Sequence, residues 1–303
     1  LARAARAGRG RGGAGRPDPV LSFTDRVDRS VRRPEEPRVN AFPDRRIGLS
    51  SAPNMRDLGG LPVADGVVRT QRVFRSASLA QLSDDDQRGF EGLGIRTVYD
   101  LRTAGERASA PDRLPAQIPS IGLDVLADSP MAAAADINGI LADPTKLAEL
   151  LQSGRAEQLL EDSYRDIVRL PSALASYRDF YLGLADRDRS GAVLFHCTTG
   201  KDRTGWAAAS LLMLLGADEA TVRADYLQTN TDLLPALQPI LDGAAEKGVP
   251  AEALMPVLGV RDSYLDAALE EVEAGFGGID GYFRTGLGLD DAVVGGLRER
   301  LVA

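Results

Sequence analysis

An apolar tetrapeptide, Ala192-Val193-Leu194-Phe195, runs directly into His196-Cys197-Thr198-Thr199-Gly200-Lys201-Asp202-Arg203-Thr204-Gly205. An Ala- and Leu-rich stretch then continues to Leu215 and stops at Gly216. The tetrapeptide follows the turn signal Ser190-Gly191 and reads as a buried parallel strand ending at the cysteine. The stretch from Arg203 reads as a helix closed by glycine. Strand, tight loop and helix in this order belong to α/β architecture, with the loop at a helix N-terminus.

His196 and Cys197 are the only histidine and the only cysteine of 303 residues. The first amides of a helix lack intrahelical partners, and the helix dipole puts partial positive charge there, so an anion can be held by backbone alone. Successive N–H groups of residues 198 to 203 can curl around a phosphate if Gly200 takes a positive φ. Arg203 adds a planar two-pronged donor that lysine does not imitate. The same field favours a thiolate at Cys197. Taken alone, a lone cysteine reads as a small buried hydrophobe; His196, Gly200, Lys201, Asp202, Arg203, Thr204 and Gly205 together point to chemistry. A Walker A loop is excluded by spacing, because Asp202 follows Lys201 and no glycine stands five residues before Gly200. A sulfurtransferase loop is usually shorter between its cysteine and its arginine and fits less well.

The run from His196 to Gly205 resembles the signature of the cysteine-dependent tyrosine and dual-specificity phosphatases, in the Gly-Lys-Asp-Arg-Thr-Gly form of a bacterial branch. Further stretches agree in order: Asn54 to Gly60, Phe74-Arg75-Ser76 with Leu79 and Leu82, Gly94 to Arg102, Ala224 to Leu227, and Gly259-Val260-Arg261. The likeness covers residues 47 to 303. It implies an α/β domain with a central, mostly parallel sheet flanked by helices, and a helical lid after the phosphate loop, for which residues 228 to 258 are the candidates. It also implies a two-step transfer in which Cys197 forms a phosphocysteine while Arg203 and the amides of Thr198, Thr199, Gly200, Lys201 and Asp202 hold the oxygens. No cofactor or metal is implied.

Two carboxylates compete for the general acid. In the resembled branch an aspartate lies inside the loop, matched by Asp202. Asp100 ends a second strand, Thr97 to Leu101, where ligands collect in α/β sheets; its alternative is a salt bridge to Lys201 or Arg102. Asp57, before Leu58-Gly59-Gly60, reads as turn-shaping. His196 should face away from Cys197, since neighbouring strand residues point to opposite faces; its expected place is a buried imidazole bonded to nearby backbone. Thr204 could donate to the thiolate or cap the helix. Lys201 suits substrates with more than one phosphate, or simply pairs with Asp100 or Asp202. Phosphotyrosine proteins and phosphoinositides are the expected substrates.

Net charge is −8 with 44% apolar residues, enough for one core of about 250 residues. The chain therefore divides into a tail, 1–46, and a catalytic domain, 47–303. The tail carries twelve arginines, no lysine and few apolar residues, and is expected to be disordered. An acidic remainder argues against a nucleic-acid partner. No run suits a transmembrane span, and no apolar run of the tail suits a signal peptide. One cysteine forms no intramolecular disulfide, which fits the cytoplasm or export without a signal peptide. Helices are expected around Thr145 to Leu151, Ser172 to Leu184, Ala220 to Leu227, Leu233 to Ala244 and Asp262 to Gly275.

Overall fold

A computed structural model describes residues 44–129 and 154–303. Most of the expected tail and the helix around Thr145 to Leu151 lie outside the described residues. The described fold begins before residue 47: Arg46 bridges to Arg56, and the Arg45 guanidinium is buried against Asp225.

Seven strands follow in chain order: β1 (Arg56–Asp57), β2 (Pro62–Val63), β3 (Gly66–Val67), β4 (Val73–Ser76), β5 (Ile95–Asp100), β6 (Ser120–Gly122) and β7 (Ala192–His196). Five make one sheet in the order β1-β4-β7-β5-β6, in which β4, β7, β5 and β6 run parallel and β1 is antiparallel at the edge; β2 and β3 form a separate ribbon. The central β7 is buried along its whole length, as expected for a strand that is apolar from Ala192 to Phe195. Alternation divides its side chains: Val193, Phe195 and Cys197 join the larger apolar core, while Ala192 and Leu194 join the smaller one on the opposite face with Phe74, Val98 and Phe90.

The helices are α1 (Asp84–Gly92), α2 (Ala104–Ser109), α3 (Ala156–Arg169), α4 (Pro171–Ala185), α5 (Arg203–Leu214), α6 (Glu219–Leu233), α7 (Gln238–Ala245), α8 (Ala251–Leu258), α9 (Asp262–Phe276) and α10 (Asp291–Leu301). The expected strands and helices on the described residues are present, with two differences of extent. The helix expected over Ala220–Leu227 continues to Leu233. The helix expected from Leu233 is interrupted by a 3₁₀ turn, Leu234–Leu237, because Pro235 and Pro239 each remove an amide donor and fit only the first turn of a helix. Residues Leu234, Leu237, Leu241, Ala244, Val249, Leu254 and Leu258 pack into a small cluster of their own. Among the described residues, no helix is long and apolar enough to cross a membrane.

The register aligns Ser76 of β4 and Asp100 of β5 with His196 of β7. Three parallel strands thus end at one level, and the loops leaving them converge on the crevice where α/β sheets place their ligands.

Candidate active site

Cys197 leaves the end of β7 and is only 1% exposed, forming the floor of the loop. Above it Thr198, Thr199, Asp202 and Arg203 are partly exposed, while Gly200 and Lys201 are buried. Gly200 has φ +69°, and a Cβ there would stand 2.3 Å from the Ser76 carbonyl oxygen, so both conformation and space demand glycine. Its carbonyl is drawn outward by two donors, Arg75 Nη2 at 2.8 Å and Asn54 Nδ2 at 3.1 Å. Asn54 Nδ2 also reaches the Thr199 carbonyl at 3.2 Å. A peptide whose oxygen is held outside turns its N–H inward, which is how a concave amide nest is kept open.

Asp202 is the N-cap residue of α5, yet its carboxylate makes no cap hydrogen bond, so the first amides of α5 remain available. The carboxylate turns elsewhere: Oδ1 accepts from Lys201 Nζ at 2.7 Å and from the Tyr164 hydroxyl at 2.9 Å. Of the two places expected for Lys201, the structure shows the pairing with Asp202, and the ammonium is buried there.

Arg203 is oriented by a residue that the sequence reading missed. Glu106 of α2 takes both prongs of the guanidinium, Nη1 at 2.7 Å and Nη2 at 2.9 Å, and also accepts from the Thr198 hydroxyl. The Thr103 amide donates to the same carboxylate at 2.8 Å, within a capping box formed by Thr103 and Glu106. Burial opposes the charge on Glu106, but Arg203, Thr198 and the Thr103 amide outweigh it and hold the carboxyl well below the usual carboxylate range. A signal was present in the sequence: Thr103-Ala104-Gly105-Glu106 is a capping-box pattern directly after the second strand. Tyr177 completes the support by donating to the Arg203 carbonyl at 3.0 Å.

The second candidate acid, Asp100, does not face the loop as a free carboxyl. It is 1% exposed, and both oxygens accept from Arg102, Nε at 2.9 Å and Nη2 at 2.7 Å. The structure realises the salt-bridge alternative, with Arg102 as the partner. Arg102 Nη2 continues to Asp112 at 2.8 Å, and Asp112 meets His196 Nε2 at 3.0 Å. His196 is buried on the face away from Cys197, with Nδ1 3.2 Å from the Cys197 carbonyl oxygen, as expected for a residue one step along a strand. Among the described residues, Asp100, Asp112 and His196 bring ligand atoms within 4.8 Å of one another, but the Arg102 guanidinium already bridges the two carboxylates. The Thr204 hydroxyl is buried without a partner among the described residues, so neither Cys197 Sγ nor a cap claims it here. Asp57 shapes its turn, accepting from the Gly59 amide at 2.8 Å and the Gln71 amide at 2.6 Å.

Behind the loop lies a charge cluster whose pairings the sequence reading did not anticipate. Asp225 of α6 is buried among three arginines: Arg45 at 2.7 Å, Arg75 at 2.8 Å and Arg56 at 3.2 Å. Burial disfavours its charge, but Arg56, Arg45 and Arg75 together hold it far below the usual range. Burial and the neighbouring Arg56 push Arg75 down to about 10, still cationic at neutral pH. This cluster anchors Arg75, and through it the Gly200 carbonyl.

A model of the tyrosine phosphatase family matches residues 47–303. A Cupriavidus necator protein named as a tyrosine-protein phosphatase is 32% identical over 254 residues, covering 82% of this chain and 87% of the relative. The triple specificity protein phosphatase PtpB of Mycobacterium tuberculosis is 32% identical over 284 residues, 84% of this chain and 98% of that protein. A tyrosine-protein phosphatase of Nostoc commune is 28% identical over 254 residues, 78% and 74% of the two chains. With a family match from residue 47 to residue 303 and two relatives at 32% identity over most of the chain, the chain belongs to the tyrosine phosphatase family.

Proposed function

We propose that this phosphatase hydrolyses phosphotyrosine through a phosphocysteine, without a metal. In the first step Cys197 Sγ bonds to phosphorus as the P–O bond to the aryl group breaks, and the Asp202 carboxyl passes its proton to the leaving oxygen. In the second, water attacks phosphorus, the S–P bond breaks, and Asp202 takes a proton from the water. Amides of residues 198–203 and the guanidinium of Arg203 hold the equatorial oxygens throughout. The observation that carries this reading is the buried Cys197 beneath an unspent helix N-terminus and an arginine fixed by Glu106.

Asp202 is assigned as the acid because Arg102 takes both oxygens of Asp100, whereas Lys201 and Tyr164 hold Asp202 through Oδ1 and leave Oδ2. Thr204 adjoins the nucleophile's loop with an unpartnered hydroxyl, which supports a donor role once the intermediate forms. Residues 228–258 are assigned as the lid, and the separate apolar cluster of residues 234–258 supports their moving as a unit. The triple-specificity name of the mycobacterial relative supports a range wider than phosphotyrosine, with phosphoserine, phosphothreonine and phosphoinositides as the candidates.

Phosphate release from an aryl phosphate in the presence of a chelator, abolished in Cys197→Ser, is the expected result, together with a phosphoprotein trapped by denaturation during turnover of the wild type and absent from Cys197→Ser. Binding of phosphate without turnover would replace this reading with a silent binding module, and thiocyanate formation from thiosulfate would replace it with a sulfurtransferase. A panel of phosphotyrosine, phosphoserine and phosphoinositide substrates orders the specificities.

A further inference from the structure

We propose that Tyr164, itself set by Tyr226, is the positioning residue of the general acid Asp202. The inference rests on the assignment of Asp202 as the acid and extends it to two residues on other helices.

Three hydroxyl and carboxyl groups stand in a row. The Tyr226 hydroxyl donates to the Tyr164 oxygen at 2.7 Å, and the Tyr164 hydroxyl donates to Asp202 Oδ1 at 2.9 Å. The polarity of this row is set by its ends. Oδ1 already accepts from the Lys201 ammonium at 2.7 Å, so it acts as an acceptor toward Tyr164 as well. Tyr164 therefore gives its only proton to Asp202 and has only lone pairs to offer Tyr226. Both phenols are buried, and burial first, with the negative charge of Asp202, raises them well above the ordinary tyrosine value. They act as neutral donors throughout.

The consequence falls on the other carboxyl oxygen. With Oδ1 held by two donors, Oδ2 accepts from no described residue and is the oxygen left to carry the transferable proton. A carboxyl free to rotate about its side-chain bonds would present either oxygen. Tyr164 removes that freedom. Its own ring is fixed against Tyr226, at 6.2 Å and 88°, and against Tyr264, at 5.7 Å. Tyr226 sits beside Asp225 on α6, so the arginine cluster behind the loop also sets the start of this row.

The test is a leaving-group series of aryl phosphates on the full chain. An acid matters for a tyrosine-like phenol, which leaves with a pKa of about 10, and matters little for an activated nitrophenol. Tyr164→Phe keeps the ring and removes only the donor; it is expected to lower kcat/KM, which reports the step that expels the phenol, by about tenfold for phenyl phosphate, the scale of one hydrogen bond, and to leave kcat/KM for nitrophenyl phosphate nearly unchanged. Asp202→Asn should show the same steepening more strongly, and Tyr164→Phe added to Asp202→Asn should change little further. Tyr181→Phe, which removes a buried hydroxyl bonded to Ser210 outside the row, serves as the structural control and should keep the wild-type slope. A wild-type slope in Tyr164→Phe alongside a steep one in Asp202→Asn overturns the positioning role and spares the acid. A wild-type slope in Asp202→Asn overturns the acid and the positioning role together. If Tyr164→Phe does not fold, Tyr226→Phe decides: a smaller steepening in the same direction supports the row, and an unchanged slope overturns it.

Discussion

Replacing Asp225 by asparagine tests whether the arginine cluster is a structural anchor. Asp225 is 1% exposed and sits between the guanidiniums of Arg45, Arg56 and Arg75, with contacts of 2.7, 3.2 and 2.8 Å. Asparagine keeps the shape, but its amide nitrogen turns donors toward a guanidinium that is itself all donor. Breaking a buried pair in this way costs about 3–5 kcal/mol, because charge is left behind without its counterion. For a domain of this size that corresponds to a fall in Tm of roughly 10 °C. Urea unfolding of Asp225→Asn should show a lower midpoint with the same slope. Acid gives an independent check on the cause. Because the arginines depress the folded carboxyl, its contribution is complete above the unfolded aspartate pKa of about 3.9 and declines as the pH falls below it. The difference between wild type and variant should therefore be constant from pH 7 to 5 and shrink below about pH 4. A loss under about 1 kcal/mol, the size of an exposed pair, or a difference that does not shrink in acid, would refute the anchoring argument.

Three further outcomes follow from the loop. Glu106→Gln loosens Arg203 and Thr198 together, so kcat/KM for an aryl phosphate should fall about 10- to 100-fold, measured beside a melting curve lowered less than that of Asp225→Asn because this pair is the more exposed. Gly200→Ala forces a Cβ against the Ser76 carbonyl at 2.3 Å in a left-handed backbone, and inorganic phosphate should cease to inhibit or to raise Tm. Asn54→Leu removes the donor to the Thr199 and Gly200 carbonyls, and KM should rise more than kcat falls in steady-state assays.

The strand, the loop and the helix of the candidate active site were legible because each rests on neighbours in sequence. Residues 192–195 are apolar without interruption, Gly200 supplies the one positive φ the nest needs, and residues 203–214 carry strong helix formers up to the stop at Gly216. The side of the strand taken by His196 also follows from a period of two. The second acid candidate shows the limit of such reasoning. Position at a strand end placed Asp100 near the crevice, but a buried carboxylate goes to the nearest cation that can meet both oxygens, and Arg102 stands two residues away.

What tertiary structure alone decided are the partners that arrive from far along the chain. Glu106 reaches Arg203 across 97 positions, Arg75 reaches Asp225 across 150, and Tyr164 reaches Asp202 across 38. Local pattern reports which residue types can form a strand, a nest or a cap, since those depend on φ, ψ and spacing within a few residues. Which buried charge or hydroxyl meets which other depends on how the helices dock on the sheet, and each such group, once removed from water, must take the partner that packing brings to it.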